Sequence, residues 1–137
     1  MSTTVLVHAH AAHIRLAIMD GLRDRAQVIP GGTDPLRTLR AHRPEVVLVA
    51  VRRRDRRQTL ALARSLKTDG RSPPLLGLID PGGVLSDPKA ACERAEADGC
   101  LQGPVDEPGL AALLEGLRGA ELALLGEASS VRTWLRR

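Results

Sequence analysis

The sequence predicts an α/β domain in which a five-stranded parallel sheet lies between two layers of helices. Three observations predict it. Short apolar runs alternate with segments of helical periodicity along the 137 residues. The run from Val46 to Val51 is apolar at every position, as a strand covered on both faces must be. The later helical segments open on Asp34-Pro35, Asp87-Pro88 and Asp106-Glu107-Pro108, where an aspartate can cap the first turn and a proline fits inside it.

Val5-Leu6-Val7 forms the first strand, ending near His8, and a helix follows with Ile14, Ile18, Met19 and Leu22 on one face. Gln27-Val28-Ile29 is a short second strand, stopped by Pro30-Gly31-Gly32. The second helix buries Leu36 and Leu39 and ends at Arg43-Pro44. After the Val46 strand, a third helix covers about Asp55 to Lys67. Pro74 to Ile79 is the fourth strand, broken by Asp80-Pro81-Gly82-Gly83, and the fourth helix runs from Asp87 to about Ala97. Cys100-Leu101-Gln102 is a short fifth strand, and Leu110, Leu113, Leu114 and Leu117 mark the inner face of the fifth helix.

Consecutive βα units cross over right-handedly. The strand order 2-1-3-4-5 of flavodoxin-like, three-layer folds closes a chain of this size and places its site at the carboxyl ends of the strands. Here those ends are Ala9-His10, Ala50-Val51, Ile79-Asp80 and Gly103-Pro104. Residues 1–119 form this domain, and residues 120–137 are expected to add a C-terminal helical extension. In that extension Val131, Trp134 and Leu135 form a small apolar stripe that is expected to pack back on the domain, the alternatives being the start of a linker helix or a contact with a partner.

Composition narrows the function. There is no Phe or Tyr, and Trp134 is the one Trp, so the core is aliphatic and aromatic platforms for stacking single-stranded bases are missing. The net charge is +4, nearly all of the positive charge being arginine, which permits an anionic partner without requiring one. Two cysteines, Cys92 and Cys100, make no disulfide framework. No run resembles a signal peptide, and none approaches the ~20 apolar residues of a membrane span, so a cytoplasmic protein is expected. Neither a P-loop nor a dinucleotide glycine fingerprint occurs, and no nucleophile–base constellation sits at the strand ends, so an enzyme is not expected.

The chain resembles the receiver domains of bacterial response regulators from residue 4 to about residue 118. The stretch Arg43 to Val51, RPEVVLVAV, is similar to the family's third strand. PPLLGLID, Pro73 to Asp80, is similar to the fourth, and DGCLQGPVDEPGL, Asp98 to Leu110, to the fifth strand and the turn after it. The resemblance implies a site that takes up phosphate. That chemistry needs a carboxylate at the end of the third strand, an acid pair after the first to hold Mg²⁺ through oxygen, a Thr or Ser after the fourth and a Lys after the fifth. Position by position, this sequence has Ala50, then Ala9 and His10, then Ile79, then Gly103. The resemblance therefore implies a degenerate member, a pseudo-receiver with a vacated phosphorylation site. It also implies a cis bond before Pro104.

Three other clusters are candidates. Arg52, Arg53, Arg54, Arg56 and Arg57 follow the third strand, and the first three could bind an anion at the mouth of the vacated site. The plain alternative is a solvated helical turn whose charges oppose the helix dipole. His8, His10 and His13 cluster at the same end, but no Cys, Asp or Glu stands at matching spacing, so local hydrogen bonding is expected rather than a metal. The face of the fourth helix, fifth strand and fifth helix, with Arg94, Cys100, Gln102 and Trp134, is the surface through which such domains dimerise or dock partners.

The leading expectation is a phosphorylation-independent protein–protein interaction module in bacterial regulation, without a cofactor, whose partner is another signalling protein or a second copy. The alternatives are a sensor that holds a small anion or nucleotide in the vacated pocket and, third, DNA or RNA contact through the Arg52–Arg57 run. Nucleic acid ranks last because no helix-turn-helix or other reader is present.

Overall fold

The computed structural model describes residues 3–70, 72–119, 127–128 and 131–135. The elements follow in chain order: β1 Thr3–His8, α1 Ala12–Leu22, β2 Ala26–Pro30, α2 Pro35–His42, β3 Val46–Ala50, α3 Arg56–Lys67, β4 Leu75–Asp80, α4 Pro88–Ala95, β5 Gly99–Gln102, α5 Glu107–Arg118, β6 Glu127–Ala128 and β7 Val131–Leu135. A single 3₁₀ turn, Arg53–Asp55, joins β3 to α3. The sheet order is β2-β1-β3-β4-β5-β7-β6. The first five strands are parallel, in the expected order 2-1-3-4-5.

Period-two alternation sorts the strands' side chains onto two faces. Leu6, Val47, Val49, Leu76, Leu78 and Cys100 pack under α2, α3 and α4 through Leu39, Leu60, Ala63, Leu66, Ala91, Cys92 and Ala95. Val5, Val7, Leu48, Ile79 and Leu101 pack under α1 and α5 through Ile18, Leu22, Leu110, Leu113 and Leu117. These layers are aliphatic apart from Cys92, Cys100 and Trp134, which packs against the α2–α3–α4 side, so the core is held almost wholly by burial of aliphatic area.

The helix starts read from the sequence are capped as expected. The carboxylates of Asp34, Asp87 and Asp106 accept from the backbone N–H of Arg37, Ala90 and Gly109. α1 differs: its N-cap is Ala11, and no side chain caps it. At the opposite end of the sheet from the site, Lys67 donates to Asp98 and to the carbonyl of Pro74, both at 2.8 Å, while Asp98 also accepts from the N–H of Leu76. This tie fixes the end of α3 to the start of β4.

The C-terminal expectation is corrected. Val131–Leu135 is a strand and not a helix, and it pairs antiparallel with β5, Cys100 opposite Trp134 and Gly99 opposite Leu135. Glu127–Ala128 pairs with it in turn. The expected continuation of α5 through Ala120 to Leu125 lies outside the described residues. The misreading has a physical cause. On a helix, Val131, Trp134 and Leu135 share one face, whereas on a strand neighbouring residues point to opposite faces. Trp134 packs on the α2–α3–α4 side and Leu135 on the α1–α5 side.

The cis expectation is also corrected: no cis peptide bond occurs among the described residues, so Gly103-Pro104 is trans. Gly103 adopts φ +115, a region open to glycine, and its N–H donates to the Asp80 carbonyl. The glycine that stands at the lysine position makes the turn by its own φ, with the peptide bond in the ordinary isomer.

Candidate functional site

The carboxyl ends of β1, β3 and β4 surround a cavity of about 320 Å³. It is lined by residues 9–11, 13 and 14 after β1, by Ala50, Val51, Arg52 and Arg53 after β3, and by Pro81, Gly82 and Val84 after β4. Ala9 and Ala50 are both buried. Of the positions matched to the phosphorylation site, Ala9, His10 and Ala50 thus meet in one cavity. Ile79 and Gly103 do not line it. Ile79 is fully buried in the layer under α1 and α5, and Gly103 is engaged in the turn after β5. No lining residue is acidic, so the cavity offers no side-chain carboxylate to a hard cation. Among the described residues no group of three His, Cys, Asp or Glu could hold a metal ion.

The arginine run is partly neutralised from within. Arg52 grips Asp55 with Nε 3.0 Å from both carboxylate oxygens and Nη2 2.8 Å from one. Thr59 donates to the same carboxylate, and His10 Nε2 lies 3.6 Å from it. The Arg52 hydrogen bonds, foremost, hold the Asp55 carboxyl below its usual range, and Asp55 in turn raises Arg52. Arg53 and Arg54 are exposed and pair with no carboxylate among the described residues, and only Arg53 reaches the cavity.

The histidine cluster differs from the hydrogen-bonded group expected. His8 is buried, and its Nε2 has no hydrogen-bond partner. Its ring instead meets that of His10 edge-on, with centroids 4.9 Å apart. Burial, and then the neighbouring His10, lower the His8 pKa, with Asp55 opposing in part. The neutral form is therefore favoured in the folded state. His8 keeps its full stabilising effect above its ordinary value of 6.5 and loses it as pH falls below that value toward the lowered folded one. Thermal unfolding followed from about pH 7.5 to about pH 5 should show a falling Tm, and His8→Asn should flatten that slope. An unchanged slope in the variant would assign the effect elsewhere.

The fourth expected cluster does not form one surface. Arg94 is exposed on α4 and Trp134 is half-buried on β7. Cys100 is fully buried in the layer against which Trp134 packs, which removes it from any contact face. The neighbouring Cys92 thiol, and then burial, push its thiol pKa up. Gln102 is held inward, its Nε2 donating to Asp80 Oδ2 at 2.9 Å and to the Leu85 carbonyl at 2.8 Å. The fifth strand is not an open edge here, because β7 occupies it.

Asp80 is the residue that sequence reasoning undervalued. Its side chain is wholly buried and accepts from the N–H of Val84, the N–H of Leu85 and Gln102, each at 2.9 Å. It shapes the β4–α4 loop that supplies Pro81, Gly82 and Val84 to the cavity wall. An aspartate at the last position of an apolar strand, followed by Pro-Gly-Gly, was the available signal.

This geometry, a 2-1-3-4-5 parallel sheet with its cavity at the strand ends and two helices against three, decides the fold. The chain has a receiver fold. A CheY-like protein, TadZ, from Pseudomonas aeruginosa PAO1 superposes with a TM-score of 0.70 at 18% identity, over 84% of this chain and 98% of that one. The response regulator DrrB of Thermotoga maritima, an OmpR/PhoB homologue, gives a TM-score of 0.63 at 18% identity over 84% of this chain, which spans only 52% of DrrB. The pseudo-receiver domain of the CikA protein gives 0.54 at 23% identity, over 88% of this chain and all of that domain (100%). No family model matches the sequence, and no curated protein matches it. Among the described residues of this receiver fold, no helix is long and apolar enough to cross a membrane.

Proposed function

We propose that this chain is a phosphorylation-independent pseudo-receiver that serves bacterial signalling as a protein–protein interaction module and not as an enzyme. One observation carries the reading: Ala9 and Ala50, two methyl groups, form the buried floor of the cavity at positions matched to a metal-binding acid and the phosphoacceptor. A methyl group offers no nucleophile and no oxygen for Mg²⁺, and His10, the other residue at the acid pair, faces Asp55 instead. The pseudo-receiver domain of the CikA protein is similar to this chain in fold.

The proposed partner is another cytoplasmic signalling protein or a second copy of this chain. The surface proposed is the α4 side of the sheet together with β7, where Arg94 and Trp134 remain accessible. Incubation with acetyl phosphate and Mg²⁺, followed by intact-mass measurement, should show no added phosphoryl group. Ala50→Asp alone should also stay unlabelled, because the acid pair for the metal is still missing. Stable labelling of the native chain would overturn the reading. Loss of self-association or partner capture in Arg94→Glu, with unchanged Tm, would support the surface.

A further inference from the structure

The interaction reading leaves the cavity itself without a use, and its lining has a definite chemistry. Its floor and walls are the side chains of Ala9, Ile14, Ala50, Val51 and Val84, while its rim carries His10, His13, Arg52 and Arg53. A volume of about 320 Å³ is enough for a compact organic molecule. Arg53 and His13 form no ion pair among the described residues, so their polar atoms are available to a ligand. The backbone adds to the same end, because α1 starts at the cavity with no side chain capping its first turn.

We propose that the cavity binds a small organic anion with an apolar body, a carboxylate of the size of an aromatic or branched-chain acid. The apolar body lies against Ala9, Ile14, Ala50, Val51 and Val84, and the charged group faces Arg53 and His13. A bare inorganic anion would leave the methyl-lined walls against water. A neutral apolar molecule would bring no charge to the rim cations. The anion needs both halves of the lining, and the two halves are adjacent only because three strand-end loops converge there.

The test uses the full chain and benzoate as the probe, followed by amide chemical shifts. Benzyl alcohol, of similar shape without charge, and inorganic phosphate, charged without an apolar body, are the comparison arms. Benzoate should cause saturable shifts at Ala9, His13, Ala50 and Gly82, with both comparison probes at least about tenfold weaker. Ala50→Leu, which fills the floor, should abolish the shifts, and Arg53→Glu, exposed and harmless to the core, should weaken binding by about tenfold or more. Equal, non-saturating responses to all three probes would overturn the proposal, as would benzoate binding unchanged in Arg53→Glu. Labelling by acetyl phosphate would sink the pseudo-receiver reading without touching this one.

Discussion

Replacing Asp80 with alanine is expected to destabilise the protein by about 3 kcal/mol in urea or thermal unfolding. The carboxylate is fully buried and accepts from two backbone N–H groups and from Gln102. Removing it strands the N–H of Leu85, which is buried, and frees the side chain that also holds the Leu85 carbonyl. An orphaned buried group costs about 1–3 kcal/mol, and water can reach the Val84 N–H more readily than the Leu85 one. Asp80→Asn keeps the size but puts an NH₂ group against a donor, so a smaller loss of about 2 kcal/mol is expected. A loss under about 1 kcal/mol for Asp80→Ala would show that the network does not hold the loop. Because the same loop walls the cavity, Asp80→Ala should also weaken benzoate binding while leaving the rim cations in place.

Gly99→Val is expected to force β7 off the sheet edge, at a cost of about 2 kcal/mol. A Cβ at Gly99 would stand 2.9 Å from both the Trp134 carbonyl oxygen and Leu135 Cδ2, and 3.2 Å from Leu117 Cδ2. The Leu tips can turn away, but the backbone oxygen belongs to the β5–β7 ladder and cannot move without breaking it. Trp134 is the only aromatic residue, so intrinsic fluorescence reports on this strand alone. Release should shift its emission to the red and speed amide exchange at Thr133 to Leu135. Emission and exchange like those of the native chain would mean that β7 is not seated on β5. The outcome also bears on function, since a detached β7 would bare the β5 edge and alter the surface proposed for partners.

Comparing the residues with the fold shows where local patterns carry information and where they stop. The continuous apolar runs of Val5 to Val7 and Val46 to Ala50, the helical leucines of α5 and the capping aspartates 34, 87 and 106 are each decided within a few residues of chain. Short-range sterics and burial dictate them, so the strands and helices of the core were legible in the sequence, while the strand order and the positions of Ala9 and Ala50 at the site were implied by the fold class and the receiver resemblance. Everything else that shapes the site depends on partners far apart in the chain. Asp80 meets Gln102, Cys100 stands opposite Trp134, and Asp55 faces His10. The same three apolar residues, Val131, Trp134 and Leu135, satisfy a helix or a strand by spacing alone. The free β5 edge, with unpaired N–H and C=O groups and an apolar surface on both faces, selects the strand. Such choices are made by the free energy of burying and pairing a surface that exists only once the rest of the chain has folded, which is why the tertiary structure alone could make them.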